Sequence, residues 1–187
     1  MHNLPRLAVA IAASLSLTVA VAAQPAYAAH RHSARPAARA VAHQAVPASR
    51  PTSAQARAIL VRAAHDHGLN PNFLLAVSYW ESGWNQAARS YTGAVGLMQV
   101  EPYTAAWAGP ALLHRGVNLN NAVDNAELGA ALLRSYLDRL RDPKLALAAY
   151  YQGLSGVLRY GIYPSSRTYV DGIWRLRNQF QATHLGG

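Results

Sequence analysis

From Thr52 onward, apolar residues recur at helical spacing. Ile59, Leu60 and Ala63 share one face that runs to about His67. Thr52 and Gln55 stand three apart, the spacing of a capping box at a helix start. Gly68-Leu69-Asn70-Pro71 is a stop followed by a restart: glycine ends one helix, Asn70 caps the next, and Pro71 takes its first position. This second helix, Pro71 to about Ser82, is apolar almost all round, as a buried central helix would be. Residues 83–120 contain several glycines and show no clear period. From Asn121 the steps of four and three through Ala126, Ala130, Leu133, Leu137 and Leu140 predict another helix, with Glu127, Arg134, Asp138 and Arg141 on its solvated face. Pro143 restarts the chain, and Leu145 to Tyr151 reads as a short buried helix. A last helix uses Tyr169, Val170, Ile173, Leu176 and Phe180, with Gly172 as a local weakness. Strand-like alternation and internal repeats are both missing, so the domain reads as mainly α.

Upstream of Thr52 the pattern is different. Leu7 to Ala23 is continuously apolar or small, Arg6 precedes it, and Ala26-Tyr27-Ala28 fits a small-x-small cleavage site. Residues 1–28 therefore read as a signal peptide, with an uncleaved membrane anchor as the alternative. Residues 29–51 are rich in Ala, Arg, His, Pro and Ser and can build no apolar face; they read as a disordered basic linker. His30 and His32 within it are read as solvated low-complexity residues rather than metal ligands. The folded domain is expected over 52–185, and the protein is expected to be exported, to the periplasm or to the cell wall and beyond.

Composition sharpens this picture. Hydrophobic residues make up 51% of the 187, enough for one real core. The net charge is +9, and the first 52 residues carry five arginines and no acid, more than half of the excess. Such a balance favours anionic partners: a wall polymer or membrane surface reached through the linker, with nucleic acid an unlikely target for an exported chain. The bland alternative is a tether that binds nothing. Cysteine is absent, which excludes disulfides and a cysteine-linked lipid anchor. His65, His67, His114 and His184 lack metal-ligand spacing, and no nucleophile elbow or phosphate-binding glycine loop is present, so neither metal nor cofactor is expected.

Glu81 carries the candidate chemistry. It is one of eight acidic residues in the chain, and lies at the end of the second helix between Trp80 and Trp84. Phe73, Val77 and Glu81 are spaced by four, which puts the carboxyl on a stripe of large apolar side chains. Burial there disfavours the charged form, and the negative end of the helix dipole adds to the effect, so the proton is held more tightly than usual. A glutamate protonated near neutral pH can protonate a leaving glycosidic oxygen. The competing reading is a buried acid that only bonds backbone at a helix end. Most glycosidases need a second carboxylate. Among Asp66, Glu101, Asp124, Glu127, Asp138, Asp142 and Asp171 only Glu101 is tempting, and it precedes Pro102 as at a helix entry. Single-acid chemistry suits this inventory better. Trp80, Trp84, Tyr91, Trp107, Tyr150, Tyr151, Tyr160, Tyr163 and Tyr169 form an aromatic set suited either to stacking on sugar rings or to the core.

Three ordered motifs carry a resemblance. Glu81-Ser82-Gly83-Trp84-Asn85, then Gly93-Ala94-Val95-Gly96-Leu97-Met98-Gln99-Val100-Glu101-Pro102, then Ala149-Tyr150-Tyr151-Gln152-Gly153 are similar to the signature of the soluble lytic transglycosylase family. Gly68 to Pro71, Asn125, Gly129 and Tyr169-Val170 follow the same pattern, over roughly residues 52–180. The resemblance implies a lysozyme-like, mainly helical single domain with a substrate cleft. It implies cleavage of the β-1,4 bond between N-acetylmuramic acid and N-acetylglucosamine, with a 1,6-anhydro product in place of hydrolysis. Glu81 would serve as general acid and then general base. Ser82, Met98 and Gln99 would line the cleft, Tyr150 would sit close to Glu81, and Tyr151 and Tyr169 would join the substrate-binding set. Peptidoglycan glycan strands are then the expected partner of a monomeric enzyme. Tyr151 and Gln152 depart from the usual asparagine and small residue, and Ser166 stands where threonine is common. A hydrolytic lysozyme of related fold and a non-catalytic peptidoglycan-binding module remain alternatives.

Overall fold

The computed structural model describes residues 50–186; the expected signal peptide and the linker up to residue 49 lie outside them. Helices α1 (Ser53–Asp66) and α2 (Pro71–Ser82) come first, α3 (Pro102–Ala108) runs into a π-helical turn at Gly109–Leu113, and α4 (Ala122–Leu140) is the longest. Then come α5 (Pro143–Gln152), α6 (Leu154–Tyr160), a 3-10 turn at Pro164–Ser166, and α7 (Arg167–Ala182). Among the described residues the only β structure is two isolated bridges, Arg89 with Val95 and Val95 with Val100.

The starts of these helices follow from local chemistry. Thr52 accepts from the Gln55 N–H at 3.3 Å while Gln55 Oε1 accepts from the Thr52 N–H at 2.8 Å, a reciprocal capping box. Asn70 accepts from the Phe73 N–H, Asn121 from Val123 and Asp124, and Asp142 from Lys144 and Leu145. At α2 and α5 proline occupies the first turn, where its missing N–H has no intrahelical partner to lose.

Helix α2 lies at the centre, packed against α1 on one side and α7 on another, while α4 joins α1 to α5. Its residues Asn72 to Ser78 are all buried, which explains the all-round apolar pattern. Leu60, Leu74, Leu128, Leu133, Leu147 and Ile173 are fully buried in the shared core.

Three local expectations are corrected. Residues 83–120 contain α3, and α6 was not foreseen; each has seven residues, too few to display a helical period. Glu127 is not on a solvated face: its carboxylate lies 2.9 Å from His67 Nε2, between α4 and the end of α1, and both side chains are about four-fifths covered. Gly172 is a packing requirement more than a weakness, because the Trp80 ring occupies the space a side chain would need.

Candidate active site

The last turn of α2 delivers Glu81, and Gly83 ends the helix directly behind it at φ 61, a left-handed backbone that favours glycine. The loop from Trp84 to Glu101 folds back over this end. Its centre is hung from buried polar side chains. Ser78 Oγ and Ser82 Oγ both donate to the Leu97 carbonyl at 2.9 Å. Asn125, fully buried on α4, accepts from the Met98 N–H at 2.8 Å and donates to the carbonyls of Val95 and Leu119. Gln86 accepts from the Leu97 N–H and donates to Leu119. Gly96 sits against both amides: a Cβ there would stand 2.6 Å from Asn125 Nδ2 and 2.8 Å from Gln86 Nε2. No other residue fits, which accounts for this glycine in the motif.

Between the loop and the α4–α5–α6 side lies a cleft of about 720 Å³. Glu81, Gln99, Glu101, Trp107, Tyr150 and Tyr151 are among its lining residues. Glu81 is mostly buried with part of its surface open to the cleft. Burial pushes its carboxyl up from the ordinary 4.5 to about 7, against the opposing pull of a hydrogen bond from Tyr169. That bond is short: the Tyr169 hydroxyl donates to Glu81 Oε1 at 2.6 Å. Burial, and then the neighbouring Glu81 charge, push the phenols of Tyr150 and Tyr169 well above their usual range, so both stay protonated donors. Tyr150 donates to the Met98 carbonyl at 2.7 Å, which ties α5 to the loop beside Glu81.

The expected site residues fall into two layers. Glu81, Gln99, Tyr150 and Tyr151 reach the cleft wall. Gln99 holds its amide on the carbonyls of Gly96 and Ala88, on a strained positive φ of 45°. Tyr151 is 57% exposed and stacks on Tyr169 at 4.6 Å between centroids. Ser82, Met98 and Tyr169 lie in a second layer, outside the cleft lining. Met98 is fully buried, its side chain pressed over Gly129, where a Cβ would stand 2.5 Å from its Cγ. Ser82 spends its hydroxyl on the carbonyls of Leu97 and Ser78. In this structure both side chains support the loop from beneath. Gln152 borders the cleft but its amide bonds Gly161 and Tyr163, so this departure from the usual small residue pins the turn after α6.

Sequence reasoning did not identify Gln86, nor the roles of Asn125 and Trp107. Trp107 is 46% exposed on the cleft wall. The available signal for Asn125 was its place beside Ala126 and Gly129 in an otherwise apolar stretch of α4. Glu101, the one tempting second acid, does line the cleft, exposed, at the start of α3. Among the described residues no three His, Cys, Asp or Glu side chains are grouped as metal ligands.

Residues 59–169 match the family model described as the Transglycosylase SLT domain. The chain is 28% identical over 138 residues to membrane-bound lytic murein transglycosylase C of Haemophilus influenzae, covering 63% of this chain and 39% of that protein. It is 38% identical over 94 residues to the transglycosylase of Enterobacteria phage PRD1, covering 49% of this chain and 32% of the phage protein. The chain thus spans well under half the length of these relatives. Among solved structures, an inactive mutant of the lytic transglycosylase Slt from Pseudomonas aeruginosa superposes with a TM-score of 0.63 at 26% identity, over 70% of this chain and 24% of that one. With the family model matching more than half of its length, and with Glu81 and Gln99 lining one cleft, the chain belongs to the SLT transglycosylase family.

Proposed function

We propose that this protein is an exported lytic transglycosylase that cuts the β-1,4 bond between N-acetylmuramic acid and N-acetylglucosamine in peptidoglycan. The observation that carries the reading is Glu81: a mostly buried carboxyl, pushed up to about 7 by burial, at the wall of a cleft of about 720 Å³. At neutral pH a large share of the molecules hold the Glu81 proton. Glu81 gives that proton to the bridging oxygen as the C1–O bond breaks, and the N-acetylglucosamine side leaves as an alcohol. The resulting carboxylate is stabilised by the Tyr169 hydroxyl. It then takes the proton of the muramic C6 hydroxyl as that oxygen bonds to C1. The ring closes, no water is consumed, and Glu81 ends protonated again. Gln99, Tyr150, Tyr151 and Trp107 form the sugar-facing wall, with Ser82, Met98 and Tyr169 holding it in shape.

A hydrolytic second reading is favoured by one observation, the exposed Glu101 carboxylate in the same cleft. It would act as the base that activates water. Mass spectrometry of digested sacculi separates the two. Anhydro ends support the lytic reading. Products one water heavier, lost in Glu101→Gln, replace it with hydrolysis. Binding to sacculi without turnover would reduce the protein to a wall-binding module.

The remaining features fit the same picture. Residues 1–28 serve as the signal peptide, 29–51 as a basic linker and 52–185 as the catalytic domain. The protein works as a monomer on glycan strands in the periplasm or cell wall, without cofactor, metal or nucleic acid. Among the described residues no helix is long and apolar enough to cross a membrane.

A further inference from the structure

Trp80 has no part in the chemistry above, yet its half-exposed ring makes a close contact with α7. It borders not the cleft but a separate open groove, with Tyr79, Arg175 and Gln179. Its six-membered ring lies on the backbone of α7 at Gly172: a Cβ there would stand 2.3 Å from both Trp80 Cη2 and Cζ3. Gly172 has no left-handed backbone, so no turn demands a glycine in the middle of this helix. What demands it is the indole.

The same two helices meet again one step away. Trp80 is the chain neighbour of Glu81, and Tyr169 is one turn before Gly172 on α7. The Tyr169 hydroxyl reaches Glu81 at 2.6 Å. Trp80 meets Tyr169 edge-on, at 6.3 Å between centroids and 85° between planes, while Tyr151 stacks on Tyr169 at 4.6 Å and 23°. The Tyr169 ring is thus clamped by one aromatic residue from α2 and one from α5. The circuit is closed: Trp80 on Gly172, Tyr169 on Glu81, with one helix supplying each side. A bulkier residue at 172 must displace the indole or separate α2 from α7, beside the point where a short hydrogen bond spans them.

We propose that Trp80 and Gly172 are positioning residues: their ring-on-backbone contact sets the approach of α7 to α2 and so holds the Tyr169 hydroxyl on Glu81. In functional terms this rests on the reading of Glu81 as the acid, but the geometry is testable without turnover. The titratable groups around Glu81 are few. Tyr169 faces it from α7 and Tyr150 from α5, with Tyr151 beside Tyr169, Tyr136 of α4 beside Tyr150, and Glu101 elsewhere on the cleft wall; among the described residues no Lys, Arg or His lines that cleft. The Tyr169 bond is the contact that favours the charged form of Glu81. Weakening it therefore moves the Glu81 titration to higher pH.

The chain has only three glutamates, Glu81, Glu101 and Glu127, so carboxyl 13C labelling of glutamate yields a spectrum in which Glu81 can be followed directly. Tyr169→Phe, which keeps the ring and removes the hydroxyl, is expected to raise the Glu81 midpoint by about half a pH unit or more, roughly a threefold change in proton affinity. Gly172→Ala is expected to raise it in the same direction, and to add nothing when combined with Tyr169→Phe, because both act through one bond. An unchanged midpoint in Gly172→Ala or in Tyr169→Phe, or a Gly172→Ala shift that persists undiminished in the Tyr169→Phe background, overturns the proposal. Should Gly172→Ala not fold, Trp80→Phe, which shrinks the ring instead of crowding it, goes through the same cycle with the same outcomes. If the cycle behaves as expected while Glu81→Gln still cleaves peptidoglycan, the positioning holds and the catalytic reading of Glu81 fails.

Discussion

At the scale of the residue, Glu81 couples stability to activity. Its carboxyl titrates at about 7 in the folded protein and near 4.5 when unfolded. The folded state therefore binds the proton more tightly, and its contribution to stability is complete below pH 4.5 and is lost as pH rises through 7. The full difference is about 3 kcal/mol at most, since one pKa unit corresponds to about 1.4 kcal/mol and the carboxyl is partly open to the cleft. Glu81→Gln keeps an acceptor for Tyr169 and has no charge to bury. Urea unfolding is expected to show the variant more stable than its parent at pH 8 and equal to it at pH 4.5. The same substitution should cost about 100- to 10,000-fold in turnover of purified peptidoglycan, the usual worth of a general acid. An active Glu81→Gln protein would remove the mechanism. In the parent, the first step needs the protonated acid, so the rate should fall as pH rises past about 7.

At the scale of the element, the loop over Glu81 owes its shape to borrowed polar groups. It has no ladder of its own beyond two bridges, and its backbone is satisfied instead by Asn125, Gln86, Ser78 and Ser82. Asn125→Ala strands the Met98 N–H in a buried place, while the Val95 and Leu119 carbonyls keep the Val100 N–H and Gln86 as donors. An expected loss of about 2 kcal/mol in urea unfolding follows, because one abandoned buried donor costs about 1–3 kcal/mol. Activity should fall further than stability does, since Met98 and Gln99 shift together. Tyr150→Phe is a milder test of the same element. It frees only the Met98 carbonyl, with an expected cost of about 1 kcal/mol. The long helices were legible because each displays several turns of apolar period between clear caps. Helices α3 and α6 were not, since seven residues show less than two full periods and their ends are made by Pro102, Gly153 and Gly161 in contexts that also suit loops.

At the scale of the whole molecule, charge and chemistry are separated along the chain. Five arginines and no acid precede Ser53, while the carboxylates that line the cleft come from α2 and the start of α3. Deleting residues 29–51 is expected to leave turnover of soluble glycan fragments intact and to weaken sedimentation with sacculi at low salt, with the difference fading at high salt as screening takes over. Equal sedimentation of both forms at every salt concentration would assign the segment to a tether. The five longer helices, the buried character of α2 and the family signature were readable from the chain, because spacing, caps and composition are local properties. Which face of Met98, Ser82 and Gln152 does the work was not, since a motif records that a residue type is required and not whether it meets substrate or supports the wall. Glu127 shows the same limit: its register placed it on the outside of α4, but the end of α1 arrives there with His67. Gly172 is the plainest case. A helix propensity scale sees only the missing Cβ and counts a cost. The packed molecule brings an indole from a helix more than 80 residues earlier into that gap, one turn from the α7 tyrosine whose hydroxyl reaches Glu81. Sequence by itself determined the five longer helices and placed Glu81 at the end of α2. Tertiary packing alone decided how tightly that acid holds its proton, because burial and a hydrogen bond from another helix exist only once the helices meet.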